Sequence, residues 1–376
     1  MKILMVNASS NIEKRVDILY DFLRAQGHEV TVFASDYLHA EKKKRSSMER
    51  GYRLIETRPY RRNISLQRLY SHWRFSRDVL REIREMSADL LYLVVPQNSN
   101  AAIAGAYRKV HPEAKIIIDI VDMWPESLPV GGTDRFPFSL WASVRDRHLH
   151  DADLVLLECD YYRERLGKRL AGVRNMTLPW LRRHTEWTSR YRDKENVGGA
   201  ELAASAHRTL RLCYLGAVNN IIDLDAVERL LTCLRDAGCA VTLELIAVGE
   251  RKAELMQRSQ AVGATPVDHD PIYDVVRLQE IMDSCDYGLN LMKSTVCVGL
   301  SMKLVDYLAA GLPVINNLPG DSRELMEAAR CGLQWPADAE TLCTAQFDRR
   351  EIRRVYEERF SSVQLARYWQ EVEKRL

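Results

Sequence analysis

The sequence has no cysteine in its first 158 residues and no Cys-x-x-Cys pair at any position. This distribution argues against a secreted chain built on disulfides. The eight cysteines further along the chain are therefore expected to be reduced thiols in the cytoplasm. The N-terminus, MKILMVNASS, has a short apolar run and no small-residue cleavage site, which predicts a strand and not a signal peptide.

The sequence also has no marked excess of one charge and no long hydrophobic run. Lysine and arginine number 54 against 52 aspartates and glutamates, so a net charge of +2 argues against a nucleic-acid partner. The uncharged stretch Leu90 to Tyr107 is interrupted by Pro96 and by the polar residues that follow it, so no membrane span is expected. The apolar share of 46% indicates a globular chain with sizeable cores.

Short apolar runs alternate with longer segments of helical period, and the series occurs twice. This pattern is typical of helices on both faces of a parallel sheet, and 376 residues exceed the roughly 250–300 at which one core stops growing. The predicted fold class is α/β, with two doubly wound Rossmann-like domains. We predict a first domain over 1–185, a linker or insertion over 186–209, a second domain over 210–348, and closing helices over 349–376 whose expected partner is the first domain.

The predicted elements can be placed from these periods. The strands are Lys2 to Val6, Glu29 to Ala34, Leu90 to Val95, Lys115 to Ile120, Leu154 to Leu157, Leu210 to Leu215, Ala240 to Ala247, Tyr287 to Leu291 and Leu312 to Asn316. The helices are 12–26, 65–86, 223–237, 251–260, 275–284 and 301–310.

Residues 41–85 concentrate positive charge, with fourteen basic and six acidic residues. Aromatic side chains are interleaved with the charges, a composition suited to an anionic lipid surface or a phosphate-rich acceptor. A solvated helix face is the alternative. The candidate surface residues are Arg61, Arg62, Arg68, Trp73 and Arg74.

Three carboxylates lie at or after the end of the strand Lys115 to Ile120, in DIVDMWPESL. They are Asp119, Asp122 and Glu126. Strand ends are the usual ligand edge of an open α/β sheet, and a carboxylate beside an apolar wall such as Trp124 can have a pKa raised toward that of a useful base. A capping role in a turn or helix is the alternative for each of them.

The segment VGLSMKLVDYLAAGLPVINN predicts a helix with Ser301 as N-cap and Gly311 as its C-terminal stop. The free N–H groups near Gly299, Ser301 and Met302, together with the charge of Lys303, would suit a diphosphate. Asp306 lies on much the same face and could accept hydrogen bonds from a ribose. An ion pair of Lys303 with Asp306 on a solvated surface is the alternative.

A third candidate is the strand-to-helix loop in LRLCYLGAVNNIIDLDAV, with Gly216, Asn219 and Asn220. Its form resembles a phosphate-facing loop, although the G-x-G-x-x-G fingerprint is absent here and after the first strand. No P-loop, nucleophile elbow, H-E-x-x-H motif or spaced Cys/His set occurs, so no metal and no cofactor are predicted.

The segments YLGAVNNIIDLDAV, LIAVGE, IMDSCDYGLNLM and SMKLVDYLAAGLPVINNLPGDSREL resemble, in order and spacing, the donor domain of GT-B glycosyltransferases of the family-4-like bacterial type. DIVDMWPESL resembles the acceptor domain of the same group. The resemblance implies two Rossmann-like domains facing a cleft, with a first domain that binds the acceptor and a second that binds the nucleotide sugar. It also implies metal-independent and retaining transfer from a nucleotide diphosphate sugar, UDP-sugar favoured, to a glycan or polyprenyl-linked acceptor, in a cytoplasmic protein at the inner face of the membrane.

The resemblance is carried over residue by residue. Asp306 stands at the second carboxylate of the family's E-x7-E motif, whereas Val298 replaces the first carboxylate, so the donor sugar stays open. Gly249, in LIAVGE, and Glu324 match donor-side positions, and a helix-capping role is the alternative for Glu324. Val298 motivates one rival function, a non-catalytic GT-B subunit that stabilises a partner transferase. An epimerase-type enzyme that needs no acceptor is a further alternative.

Overall fold

A computed structural model describes residues 1–39, 41–48, 50–62, 64–183, 209–272 and 274–376. The chain divides into two compact units, Met1–Leu181 with Leu365–Leu376 and Arg182–Gln364. The predicted linker or insertion lies outside the described residues, except for Thr209, which begins a strand.

The first unit contains a parallel sheet with helices between its strands. Its described strands are β1 (Lys2–Asn7), β2 (Glu29–Ser35), β3 (Tyr37–Leu38), β4 (Lys43–Lys44), β5 (Arg53–Ile55), β6 (Leu90–Val95), β7 (Lys115–Ile120), β8 (Leu154–Leu157) and β9 (Asn175–Thr177). Its described helices are α1 (Glu13–Ala25), α2 (Leu66–Ile83), α3 (Ala101–Arg108), α4 (Phe138–Asp146) and α5 (Asp160–Leu166). The sheet order is β5-β2-β1-β6-β7-β8-β9, and β3 pairs with β4 apart from it.

The second unit repeats this arrangement. Its described strands are β10 (Thr209–Ala217), β11 (Ala240–Val248), β12 (Thr265–Asp268), β13 (Tyr287–Asn290), β14 (Val314–Asn316) and β15 (Gly332–Gln334). Its described helices are α6 (Leu224–Asp236), α7 (Lys252–Ala261), α8 (Val275–Asp283), α9 (Met302–Ala309), α10 (Asp321–Glu327), α11 (Ala339–Thr344) and α12 (Arg349–Arg359). The sheet order is β12-β11-β10-β13-β14-β15, with parallel pairing throughout.

Both sheets reverse their strand order once, between β1 and β6 and between β10 and β13. The central strands are apolar on both faces because helices cover both sides; β6, LLYLVV, is buried at every position. Open α/β sheets bind ligands at the carboxyl ends of the strands beside such a reversal. The predicted fold class, two doubly wound α/β domains, is confirmed.

The closing helices divide between the two units. In the second unit α12 contacts α9. In the first unit α13 (Leu365–Arg375) contacts α1 and buries Leu365, Trp369 and Val372 in the core that β1, β2 and α1 also form. The apolar spacing of α13 at four and three residues places these three side chains on one face.

The apolar pattern of the sequence located most long elements to within a few residues and missed several short ones. The helix predicted over 65–86 begins at Leu66, because Ser65 accepts a hydrogen bond from the Arg68 backbone N–H. Strands β5, β9, β12 and β15 were missed because none of their sequences, RLI, NMT, TPVD and GLQ, is a continuous apolar run, in contrast to the similarly short β8, LVLL. No described helix is long and apolar enough to cross a membrane.

Candidate functional site

In the second unit, the loops that follow β10 and β11 touch directly at the carboxyl edge of the sheet. Gly249 has a φ of 120°, and a Cβ there would lie 2.4 Å from the Val218 carbonyl oxygen. The Val218 carbonyl also accepts a hydrogen bond from the Arg251 N–H at 3.1 Å. Glycine is therefore required at 249 both by backbone conformation and by space.

The predicted loop residues after β10 lie at this edge. Gly216, the residue before the last of β10, has a φ of 104°. The Asn219 side chain accepts a hydrogen bond from the Ile221 N–H at 3.0 Å, which closes a turn, and Asn220 is exposed. The loop is a compact turn without a glycine-rich phosphate cradle.

A buried polar network holds the start of α9 against the ends of β13 and β14. The Ser301 hydroxyl donates to the Asn290 side chain at 2.8 Å, and Asn290 donates to Asn316 at 2.7 Å. Ser301 also caps α9 by accepting from the Leu304 N–H. A cap of this type stabilises a helix by about 1 kcal/mol, and the asparagines fix the direction of its N-terminus.

The neighbouring residues complete the support of this helix start. The Gly299 carbonyl accepts from the backbone N–H and the hydroxyl of Ser322, at 2.9 and 2.6 Å. Met302 is exposed as the first residue of α9, and Glu324 is exposed in the short helix α10. Val298 packs against the apolar core of the second unit, so the position of the missing motif carboxylate is used for packing.

Lys303 reaches the strand reversal from the first turn of α9. Its Nζ donates to the Tyr214 hydroxyl at 3.2 Å and lies 4.3 Å from the centre of the Tyr214 ring. Burial lowers the pKa of Lys303 to about 7, because the ammonium loses water. An anion bound at the α9 N-terminus would favour the charged form.

The α9 helix sits close to the sheet because position 288 has no side chain. A Cβ at Gly288 would lie 2.7 Å from the Tyr307 ring. The Tyr307 hydroxyl accepts from the Leu215 N–H at 2.8 Å and donates to the Cys213 carbonyl. These contacts join α9 to β10 at the strand reversal.

Asp306 pairs with Arg182, and not with Lys303 as in the surface alternative. Arg182 Nε and a terminal nitrogen each donate to one Asp306 oxygen at 2.7 Å. Each oxygen keeps a second lone pair, so the pairing orients the carboxylate while leaving it acceptor capacity. Sequence reasoning did not find Arg182, which is far from Asp306 along the chain.

In the first unit, the three predicted carboxylates have different environments. Asp119 is 0% exposed: it accepts two hydrogen bonds from Arg15 at 2.8 and 2.9 Å and one from the Tyr92 hydroxyl at 2.7 Å. Arg15 also donates to the Leu178 and Pro179 carbonyls. This pairing makes Asp119 a structural residue that ties α1 to β7.

Asp119→Ala is expected to lower the free energy of unfolding by about 3–5 kcal/mol, because it leaves the buried Arg15 guanidinium without its carboxylate. Chemical denaturation monitored by circular dichroism measures the change. Asp134→Ala, at an exposed loop position, is the control and should stay within about 0.5 kcal/mol of the parent. A loss below about 1 kcal/mol for Asp119→Ala would contradict the structural role.

Glu126 is likewise held by an arginine. Its oxygens accept from Arg145 of α4 at 2.7 and 3.2 Å, and both side chains are largely buried. A carboxylate fixed in this way is poorly suited to exchange a proton with a substrate.

Asp122 is the carboxylate whose environment suits a base. It accepts from the Ser127 hydroxyl at 2.5 Å, and burial raises its pKa although Ser127, Trp124, the Met123 N–H and the Arg68 charge act in the opposite direction. It lies directly after β7, two residues before Trp124 and at the carboxyl edge of the sheet. The structure therefore separates the three carboxylates, and Asp122 is the one we retain.

Only some residues of the predicted basic surface are exposed to solvent. Arg61 and Arg62 are exposed, Trp73 is exposed, and Arg74 pairs with Asp78 at 2.7 Å. Arg68, by contrast, is 3% exposed, because its position on α2 shares the inward face with Ser71, His72 and Phe75. Its assignment to an exposed membrane surface was wrong.

The described residues contain no group of three His, Cys, Asp or Glu side chains placed to hold a metal ion. All eight cysteines are free thiols in the structure. Positive charge at the second unit's candidate site is supplied by Lys303 and by the N–H groups of α9, while Arg182 pairs with Asp306.

Comparison with known proteins bears directly on these two units. Residues 12–179 match the family model of the glycosyl transferase 4-like domain. Sucrose-phosphate synthase from Thermosynechococcus elongatus has a TM-score of 0.70 at 13% identity, and the lipopolysaccharide outer core galactosyltransferase WaaB in its apo form has 0.69 at 12%, each with 100% of both chains covered. The first unit therefore matches the glycosyl transferase 4-like domain, and the chain shares its fold with these two structures.

A third similar structure contains a donor analogue. Trehalose-6-phosphate from E. coli bound with UDP-2-fluoro glucose has a TM-score of 0.58 at 11% identity, with 96% of this chain and 91% of that chain covered. No curated protein matches the sequence at a significant level. Asp119, Asp122 and Glu126 all lie within the residues that match the family model.

Sequence reasoning missed several residues that build the candidate site in the second unit. Asn290 and Asn316 end apolar strands, and a polar residue at such a strand end is a signal that could have identified them. Tyr214 carries no such signal because it lies inside an apolar strand.

Proposed function

We propose that this protein is a glycosyltransferase that moves a sugar from a nucleotide diphosphate sugar, with UDP-sugar favoured, to a hydroxyl group of a glycan or lipid-linked acceptor. The observation that carries the proposal is the N-terminus of α9, capped by Ser301 and accompanied by Lys303 at the strand reversal of the second unit. Free backbone N–H groups and one positive charge at a helix start are the usual elements of a diphosphate site.

The donor site is proposed to bind the diphosphate at Gly299 to Lys303 and the ribose at Asp306. Asp306 is oriented by Arg182 and keeps lone pairs for ribose hydroxyls. UDP is favoured by the family resemblance, and the similar E. coli structure is bound with UDP-2-fluoro glucose. As the bond to the anomeric carbon lengthens, Lys303 and the α9 N–H groups would stabilise the negative charge on the departing diphosphate.

The acceptor hydroxyl is proposed to meet Asp122 in the first unit. A carboxylate with a raised pKa can accept the hydroxyl proton as the new glycosidic bond forms, and Ser127 holds it in one orientation. Retention of configuration and independence from metal ions follow the family resemblance. We place the protein in the cytoplasm, at the inner face of the membrane.

The test is a nucleotide-release assay with a panel of UDP-, GDP-, ADP- and dTDP-sugars, each with and without a mixture of glycan and polyprenyl-linked acceptors, in the presence of EDTA. We expect one donor class to release nucleotide only when acceptor is present. Release that does not depend on acceptor would favour an epimerase-type or hydrolytic enzyme, and no release from any donor would overturn the proposal.

An anionic membrane surface is a further proposed partner. Four large apolar or aromatic side chains are exposed near the start of α2: Ile64, Leu66, Tyr70 and Trp73, with Leu66 at 84%. The exposed arginines Arg58, Arg61 and Arg62 precede them along the chain. Apolar side chains that enter the headgroup region next to basic ones are typical of interfacial helices.

The variant Leu66→Ser/Trp73→Ser is expected to bind vesicles of one-third phosphatidylglycerol at least about tenfold more weakly, because it removes two side chains that would insert into the bilayer. Vesicle co-sedimentation measures binding. The matched control Val110→Ser/Val363→Ser removes two exposed apolar residues elsewhere and should bind like the parent. Equal binding by both variants, or no binding by the parent, would remove the membrane from the account.

A further inference from the structure

A cluster of basic and aromatic side chains lies in the first unit beside the proposed acceptor residue. Its members are His39, Lys42, Tyr60, Arg68 and His72, named here the Arg68 cluster. The Arg68 guanidinium lies 5.6 Å from the Tyr60 ring centre and 3.9 Å from that of Trp124. The Lys42 ammonium lies 5.0 Å from the centre of the Tyr60 ring.

The histidines join these residues into one group. His39 Nδ1 lies 2.7 Å from the Tyr60 hydroxyl and 3.3 Å from the Lys42 Nζ. His72 stacks on Trp124 with an interplanar angle of 14°. Three segments that are separate in sequence, residues 37–44, Tyr60 and the start of α2, therefore supply the Arg68 cluster.

The cluster contains a buried donor that has no acceptor. Arg68 Nε donates to His72 Nε2 at 3.3 Å, so a neutral His72 carries its proton on Nδ1. His72 is 8% exposed, and its Nδ1 has no hydrogen-bond partner among the described residues. A buried N–H without an acceptor destabilises the folded protein, and a ligand that accepts from it would explain why it is retained.

The charges of the cluster repel one another. Burial and the charges of Arg68 and Lys42 lower the pKa of His39 to about 4, and burial together with Arg68 lowers the pKa of Lys42. Burial lowers the pKa of Arg68, whereas the Asp122 carboxylate raises it. An anion bound among these side chains would offset the repulsion and favour the charged forms of His39 and Lys42.

We propose that the Arg68 cluster binds a phosphate group of the acceptor. Arg68 supplies a planar fork of donors, and Lys42 supplies an exposed point charge at the rim. Several donors on different segments suit the three free oxygens of a phosphate better than the two of a carboxylate. The site lies next to Asp122, so a phosphate held there would place a nearby acceptor hydroxyl at the base. The inference rests on the proposed function and narrows its acceptor to a phosphorylated one.

The test measures anion binding directly and apart from glycosyl transfer. The full chain, with excess UDP present to fill the donor site, is titrated calorimetrically with methylenediphosphonate, glucose 1-phosphate and, in detergent, farnesyl diphosphate. Lys42→Ala is expected to weaken binding about 5–20-fold and Arg68→Lys about tenfold. Lys43→Ala, the neighbouring exposed lysine outside the cluster, should stay within about twofold. Thermal unfolding confirms that each variant is folded.

The outcomes distinguish the phosphate site in the first unit from the proposed glycosyl transfer. Binding by glucose 1-phosphate indicates a soluble phosphorylated acceptor, whereas binding by farnesyl diphosphate alone indicates a lipid-linked one; both support the site when Lys42→Ala weakens them. No binding by the parent, or binding by both Lys42→Ala and Arg68→Lys that is as tight as that of the parent, overturns it. Phosphate binding that persists in a protein with no affinity for any nucleotide would contradict the proposed function and leave the Arg68 cluster in place.

Discussion

Asp122→Asn is expected to lower kcat by about 10²–10⁴-fold while nucleotide binding in the second unit is unchanged. Positioned general bases contribute rate enhancements of this size, and asparagine keeps the shape of the side chain but cannot accept the proton. Asp119 and Glu126 cannot substitute, because Arg15 and Arg145 already hold their oxygens. Steady-state kinetics with the donor class identified by the release assay measure the effect.

The pH profile gives a second readout of the same residue. Burial raises the pKa of Asp122, and only the deprotonated form acts as a base, so kcat/KM should rise with pH through a value above the usual range for aspartate. Removing the Arg68 charge, which lowers this pKa, would move the rise to still higher pH.

Asp134→Asn is the matched control, since it removes an exposed carboxylate from the loop that follows, and it should leave kcat within about twofold. Unchanged turnover of Asp122→Asn would exclude Asp122 as the base. Equal loss of nucleotide affinity and turnover would mean that the substitution had damaged the fold.

Lys303→Met is expected to weaken nucleoside diphosphate binding by about 30-fold or more, because truncating one partner of a buried charge pair costs at least about 2 kcal/mol. Methionine fills a similar volume and keeps the packing of α9 on β10. Arg235→Met removes one charge near the opposite edge of the same sheet, at the end of α6, and should bind like the parent. Equal affinities for Lys303→Met and the parent would remove Lys303 from the donor site.

The lowered pKa of Lys303 adds a pH dependence with a definite sign. With a pKa of about 7, the lysine is charged below that pH and increasingly neutral above it. A bound diphosphate favours the charged form, so the pKa of Lys303 is higher in the complex than in the free protein. Above about pH 7, binding is therefore accompanied by the uptake of a proton. Affinity should therefore be highest below about pH 7 and fall by up to tenfold per unit above it, and Lys303→Met should lose this slope.

Strands and helices with a regular apolar pattern or clear capping residues could be predicted from the sequence. Apolar runs such as LLYLVV and the capped segment from Ser301 to Gly311 have local patterns that determine strand and helix, so the architecture and the helix start at the donor site could be predicted. The order of the strands was not predicted; the structure shows one reversal in each sheet, the position at which sheets of this class bind ligands.

The partners of individual carboxylates could not be predicted. Asp119 and Asp122 are three residues apart with similar neighbours in sequence, yet Arg15, more than a hundred residues away, makes one structural and leaves the other to Ser127. Arg182 and Asp306 are similarly distant. Arg68 illustrates the same limit for charge runs, because only the inward face of α2 shows that one arginine of a basic segment is buried.

The most direct test of the account is a calorimetric titration of the parent protein and Lys303→Met with UDP, GDP, ADP and dTDP, first in EDTA and then with magnesium. The account predicts selective binding of one nucleotide in EDTA, UDP in the first instance, weakened about 30-fold or more by Lys303→Met. Binding of none of the four by the parent protein, with or without magnesium, would contradict a nucleotide-sugar site in the second unit.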